Sequence, residues 1–270
     1  MTKKTTQAAA EPSQSQQQGD VELSQQPPAP PEWLTENASE SGFFVTRIGG
    51  TKVESAMEDA VALLKAAATE YAKHTGDSKP YETGVASAIP GMENIGFVAL
   101  SPEDATTDVA RLGRWLMLKL ASGQEVNWPR PTHVSRMLPM EGVTSGTVSE
   151  AGLVNLATSI LPNHCANLSE TGMKTAKFET LYEEFDAEDH LTPSLVNRVM
   201  GEILPEGYEA NWSKPDYSIL VVAVAGDVGM SVVEKYDDCF NFAVHKAMPM
   251  PKLESKAAEA EAELPASQPA

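Results

Sequence analysis

Apolar positions along the chain mark a central block, from about residue 43 to 250, flanked by stretches almost without large apolar side chains. Within the block, Val53, Met57, Ala60, Val61, Leu64, Ala68 and Tyr71 fall on one stripe at helical spacing, with Gly76 just past its end. This predicts a helix starting near Thr51. Val109, Leu112, Leu116 and Leu120 predict a second, opened by Ser101-Pro102-Glu103-Asp104 and running to about Ala121; Ser suits the cap, Pro the first turn, and acids the positive end of the helix. Further helices are predicted from Ser149 to Leu161, stopped by Pro162, from Gly172 to Phe185, from Thr192-Pro193 to Leu204, and from Val228 to Met248. Strand signals are fewer, at "FFVTRI" (43–48) and "FVAL" (97–100). The prolines and glycines of "KPYETGVASAIPGMENIG" and "NWPRPTHVSRMLPMEG" predict loops. The nearly all-apolar run in "SILVVAVAGDVGM" (218–230) fits either a strand, by its β-branched residues, or a helix, by its neighbours.

The resulting expectation is a mainly α chain, five to six helices with a minor β component. A single globular core (43–250) sits between a disordered N-terminal arm (1–42) and a disordered acidic C-terminal tail (251–270). The arms are rich in Gln, Ser, Pro, Ala and Glu, which cannot bury enough surface to offset ordering entropy. No apolar run is long enough for a membrane span and no signal-peptide pattern opens the chain, so an intracellular or virion setting is expected.

Charge narrows the function classes. The formal net charge is −18, and acids outnumber bases within the core as well as in the arms. This argues against coating nucleic acid by bulk positive charge, while a local basic groove stays open. The most basic neighbourhood holds Arg111, Arg114, Lys119, Arg130 and Arg136, interleaved with Trp115, Trp128 and His133. Cations among aromatic rings suit single-stranded nucleic acid, through phosphate pairing and base stacking. Arg111, Arg114, Lys119, Trp128, Arg130 and Arg136 are the candidate contacts; the competing reading is a solvated helix face beside core tryptophans.

Other constellations point to no chemistry. The histidines show no metal-ligand spacing, and Cys165 and Cys239 lie far apart, as buried free thiols would. Glu183, Glu184, Asp186, Glu188 and Asp189 cluster without the pattern of a calcium loop and read as a solvated acidic face. No serine sits in a nucleophile elbow. Gly226-Asp-Val-Gly229 lacks the lysine of a phosphate loop, and Asp227 would repel a phosphate. The expectation is no catalytic residue, no metal and no cofactor, and a lean away from an enzyme.

Two resemblances bear on these segments. "VAGDVGMSVVEKY" resembles the Gly-x-x-Gly loop region of the K-homology RNA-binding module, with Asp227 and Val228 where basic residues are usual. "YEANWSKPDYSILVVAVAGDV", Tyr208 to Val228, is similar to the Ala-Asn-Trp segment of coat proteins of flexuous filamentous plant viruses. Aliphatics stand there in place of that family's aromatics, and the spacing is shorter. The likeness implies a helix-rich core between flexible arms. The leading expectation is thus a self-assembling, homo-oligomeric protein of coat or nucleocapsid type, with single-stranded nucleic acid at 111–136. The alternatives are an acidic adaptor for a basic protein partner and an enzyme with its site near Gly226-Gly229.

Overall fold

The computed structural model describes residues 41–77, 80–101, 109–123, 127–144, 148–170, 172, 175–185 and 191–248. Of the expected arms (1–42 and 251–270), residues 1–40 and 251–270 lie outside the described residues, as do the helix-start signal from Pro102 to Asp104 and the acids Asp186, Glu188 and Asp189.

The first half is built as β1 (Gly42–Arg47), α1 (Val53–Thr75), β2 (Glu82–Ala88), β3 (Ile95–Ser101), α2 (Val109–Ala121) and β4 (Val134–Met140). Its strands form an antiparallel sheet in the order β2-β3-β1-β4. This succession and order are those of the split β-α-β, ferredoxin-like arrangement. β1 is central, which is why the run from Phe43 to Val45 is apolar throughout and fully buried. α1 ends as its sequence predicts, with Gly76 left-handed (φ 81°) and its N–H on the Ala72 carbonyl.

The second half comprises β5 (Gly142–Thr144), α3 (Glu150–Glu170), β6 (Ala176–Phe185), α4 (Pro193–Ile203), β7 (Tyr208–Ala210), β8 (Tyr217–Val224) and β9 (Asp227–Glu234). A 3-10 helix (Tyr236–Phe242) and the short α5 (Val244–Ala247) are the last elements among the described residues. The sheet order is β5-β9-β8-β6-β7, with β6 parallel to β7 and β8 and the other pairs antiparallel. Alternate residues of β8 enter two different cores. Ile219, Val221 and Ala223 pack with α3 and α4, whereas Leu220, Val222 and Val224 pack with the first half. A central strand covered on both faces carries no polar alternation, and this answers the strand-or-helix ambiguity of 218–225. The sheets meet at Glu141, between β4 and β5: its N–H donates to the Met230 carbonyl (2.9 Å) and its carboxylate accepts from the Val232 N–H (2.9 Å).

The mainly α expectation is overturned: this is an α/β chain with a four-stranded and a five-stranded sheet. Each miss has a physical cause. The predicted helix 172–185 is β6, where Ala176 and Phe178 are buried and Lys177 exposed, a period of two. The predicted helix 228–248 is β9 followed by the 3-10 helix; the apolar residues of β9 match a helical stripe only because both faces of the strand are buried. The predicted loops hide β2 and β4, and Pro139 is tolerated because β4 is an edge strand, paired in the sheet with β1 alone and otherwise bridged at Arg136 to Ala243. Pro162 does not stop α3, which continues to Glu170 on the packing of Leu161, Cys165 and Leu168.

The coat-type assembly reading falls with the helical core on which it rested. The segment resembling filamentous coat proteins is β7, a turn and the β8–β9 hairpin. The Gly-x-x-Gly resemblance fails likewise, since Gly226 lies in a hairpin turn rather than between two helices. No helix N-terminus follows that turn and Asp227 is buried, so the turn does not form a helix-start phosphate cradle. Among the described residues no helix is long and apolar enough to cross a membrane.

Candidate nucleic-acid interface

The two halves leave a cleft of about 310 Å³ between the last turn of α1, one face of α2, the C-terminal part of α3 and one end of β8 and β9. The volume is at the small end of the range for ligand sites, which favour such interfaces. α2 sets its chemistry. Leu112, Leu116, Met117 and Leu120 turn into the core, while Arg111, Arg114, Trp115 and Leu118, spaced by three and four, form the cleft wall. Tyr71 and His74 come from α1, His164 and Leu168 from α3, and Tyr217, Val232 and Glu234 from the sheet.

Rings line both sides. The His74 imidazole lies nearly parallel to the Trp115 ring at 6.2 Å (28° between planes), and Tyr71 meets Trp115 at 5.3 Å. Opposite, Tyr217 is 5.1 Å from His164 and 5.6 Å from Phe178. Arg114 faces Glu234 at 3.6 Å, a long pairing with both side chains partly in solvent. Its Nε is buried with no hydrogen-bond acceptor among the described residues. The Tyr217 hydroxyl is pushed above its usual range by burial and by the Glu234 and Asp216 charges, against the opposing pull of Arg111 and Arg114. It is therefore a neutral group at physiological pH, able to donate a hydrogen bond.

Four of the six predicted contacts are gathered here. Arg111 and Arg114 line the cleft. Lys119 and Trp128 lie beside it, both tied to Glu70 at 3.1 and 3.0 Å, with Trp128 5.6 Å from the Trp115 ring and the Lys119 ammonium 6.0 Å from it. Arg130 is exposed on the loop before β4. Arg136 is held elsewhere, at the seam between the sheets, on Glu183. The sequence reading missed Tyr71, His74, His164 and Tyr217, which lie far apart in the chain and meet only when α1, α3 and β8 assemble.

Both cysteines are free and buried. Burial raises the Cys165 thiol and pushes Cys239 up to about 11, the nearby Arg114 charge only partly opposing it. Neither is a thiolate at neutral pH. Among the described residues no group of three or more His, Cys, Asp or Glu side chains is placed to hold a metal. A second hollow of about 510 Å³ lies between α1 and β2, with Met57, Val61, Ala86 and Ala88 as walls and Glu54 and Glu58 on its rim; it has no aromatic lining and only Lys65 as a cation.

No family model matches the chain, and no curated protein does. Solved structures match it at low identity and low TM-score. PH1313 from Pyrococcus horikoshii is 11% identical over 72% of this chain and 55% of that one, with a TM-score of 0.43. A 4-thiouridine synthetase in complex with RNA and ATP is 13% identical over 73% of this chain and 42% of that one (TM-score 0.38). TrmN from Thermus thermophilus is 11% identical over 71% and 45% (TM-score 0.35). The chain spans about half the length of these structures.

Proposed function

We propose that this chain is an RNA-binding module whose ligand enters the cleft between α1, α2 and α3. One observation carries the reading. In a chain of net charge −18, the cleft gathers Arg111 and Arg114 with the rings of His74, Trp115 and Tyr217. Guanidinium groups suit phosphate oxygens because they are planar, permanently charged and present several donors at once. Aromatic faces suit bases of any sequence. The combination fits a single-stranded segment better than a duplex, whose stacked bases would not reach the rings. The coat-type role and the acidic-adaptor alternative, which drew on helix content and overall charge, both give way to this local chemistry.

The test is fluorescence anisotropy with a labelled single-stranded RNA and the full chain; RNA is also the ligand named with the 4-thiouridine synthetase. Affinity should fall with salt on a log–log slope of about −1.4 if two phosphates are engaged. The double variant Arg111→Gln, Arg114→Gln should weaken binding by roughly tenfold or more, with unchanged circular dichroism. Arg130→Gln, at an exposed residue that does not line the cleft, should bind as the parent does. Parental affinity in the double variant would remove the cleft from RNA binding.

A further inference from the structure

We propose that Trp212 is a second stacking platform that takes a base outside the cleft, along the same RNA strand. The inference rests on the RNA reading above and extends it.

Trp212 is the most exposed large hydrophobic side chain among the described residues, at 63%, against 39% for Phe240 and 37% for Leu118. Solvent exposure of an indole on an untethered loop would need no explanation, but this loop is tethered. The Asn211 side-chain oxygen accepts from the Ser213 N–H (3.1 Å), the Ser213 hydroxyl (3.1 Å) and the Lys214 N–H (3.2 Å). At one end the Asn211 N–H donates to the Phe178 carbonyl (2.6 Å). At the other, the Asp216 N–H donates to the Lys177 carbonyl (2.8 Å), and its carboxylate accepts from the Lys177 N–H (2.9 Å). Both ends of 211–216 are thus fixed to β6, and the ring between them is presented to solvent at little further cost in backbone entropy on binding.

The placement points to the ligand. Tyr217, at the cleft wall, follows five residues later, so the two Cα atoms are at most about 18 Å apart. A row of rings runs from the cleft to Tyr208 on β7, the strand that precedes the Trp212 loop: Tyr217 to His164 at 5.1 Å, Phe178 to Tyr217 at 5.6 Å, and Tyr208 to Phe178 at 5.9 Å. Lys177 and Lys214 are exposed beside Trp212. Of the neighbouring acids, Asp216 is turned onto the Lys177 backbone and Glu209 stays in solvent. A rigid aromatic face with adjacent ammonium groups, within reach of a cationic, ring-lined cleft, matches base stacking with phosphate contacts on a single strand.

Two ligands separate this from the cleft itself: a 5′-phosphorylated dinucleotide, which fills the cleft alone, and a single-stranded RNA of roughly ten nucleotides, within the site size such surfaces cover. Trp212→Ala should weaken the longer RNA roughly 5- to 100-fold and leave the dinucleotide unchanged, while Trp212→Phe should retain most of the longer ligand's affinity. The longer RNA should also quench Trp212 emission, read as the signal lost between the parent and Trp212→Phe. Unchanged affinity of Trp212→Ala for the longer RNA overturns the proposal and leaves the cleft reading intact. If, in addition, sedimentation shows that the parent self-associates through Trp212, the ring belongs to a protein contact and the proposal is equally overturned. Failure of the parent to bind either RNA overturns both readings.

Discussion

Arg136 of β4 and Glu183 of β6 form a two-pronged ion pair across the seam between the sheets, with Nη1 to Oε2 at 2.5 Å and Nη2 to Oε1 at 2.6 Å. The same guanidinium donates to the Tyr236 hydroxyl (2.9 Å) and, through Nε, to the Asn241 carbonyl (3.1 Å). That last contact holds a stretch in which Phe240, Asn241 and Phe242 all have positive φ. Burial works against the Arg136 charge, and the Glu183 bond and charge more than offset it, leaving the guanidinium more firmly protonated than usual. Truncating one partner leaves the other charged and partly desolvated. Arg136→Ala is expected to cost about 3 kcal/mol in urea denaturation, and Glu183→Gln somewhat less because its amide oxygen can still accept. Arg136→Lys should recover only part of the loss, since an ammonium lacks the planar fork. A cost near zero for Arg136→Ala would show that the two sheets do not depend on this pair.

Acid sensitivity should trace to Asp59. Its carboxylate, on α1, accepts from the backbone N–H groups of Thr132 (2.7 Å) and His133 (2.9 Å) and meets His133 Nδ1 at 2.9 Å, fixing the entry to β4. Burial would raise its pKa; these bonds and the His133 charge together outweigh burial and hold it below the usual carboxylate range. A folded-state pKa below the unfolded one contributes stability above the ordinary Asp value of about 3.9, and that contribution is lost as pH falls through the folded value. The thermal midpoint should therefore drop below pH 4 more steeply in the parent than in Asp59→Asn. That variant should already be less stable at pH 7. Parallel pH profiles for the two proteins would exclude Asp59 as the source.

The β8–β9 hairpin supplies a test in which two glycines of one motif behave differently. Gly226 lies in the turn with open space where a Cβ would be, whereas a Cβ at Gly229 would meet Met140 Sδ at 2.5 Å and the Phe44 ring at 2.7 Å. Gly226→Ala should change stability by no more than about 0.5 kcal/mol, and Gly229→Ala should cost about 1–3 kcal/mol by overpacking. Ala225 carries the turn's positive φ, 51°, so Ala225→Gly should stabilise by about 1 kcal/mol. Equal costs at Gly226 and Gly229 would contradict the packing described here.

The same hairpin shows how far the sequence could be read. α1, α4 and the body of α2 were legible because each keeps one apolar face, and Gly76 and Thr192 act as the stop and the cap their types suggest. β8 and β9 were not, because a strand buried on both faces has no period to detect, and Val232, Val233 and Tyr236 fit a helix as well as a strand. β4 was hidden by Pro139, acceptable only at a sheet edge, and edge position is a property of the assembled sheet. For the cleft, Arg111 and Arg114 could be chosen from their spacing on one helix. Arg136 could not be told apart from them, since its partner Glu183 is remote in sequence. His164 and Tyr217 reach the cleft only through tertiary packing.

Glu234 is expected to tune the cleft. It lies 3.6 Å from Arg114 and places a carboxylate where a phosphate would compete for the same guanidinium. Half-exposed pairs of this kind are weak, roughly 0.2–1 kcal/mol, so a phosphate can displace the carboxylate, but the displaced charge stays in the cleft and repels the ligand. Glu234→Gln should therefore raise affinity for single-stranded RNA by roughly 2- to 5-fold while leaving the log–log salt slope as in the parent, because the number of phosphates engaged is unchanged. Arg114→Gln should instead lower affinity and make the slope shallower by about 0.7, one phosphate contact fewer. The double variant separates the two effects: with Arg114 neutral, Glu234→Gln keeps only its relief of repulsion and should gain less than in the parent background. Anisotropy titrations across a salt series measure all four proteins, and an affinity lowered by Glu234→Gln would mean that the carboxylate positions Arg114 for RNA rather than competing with it.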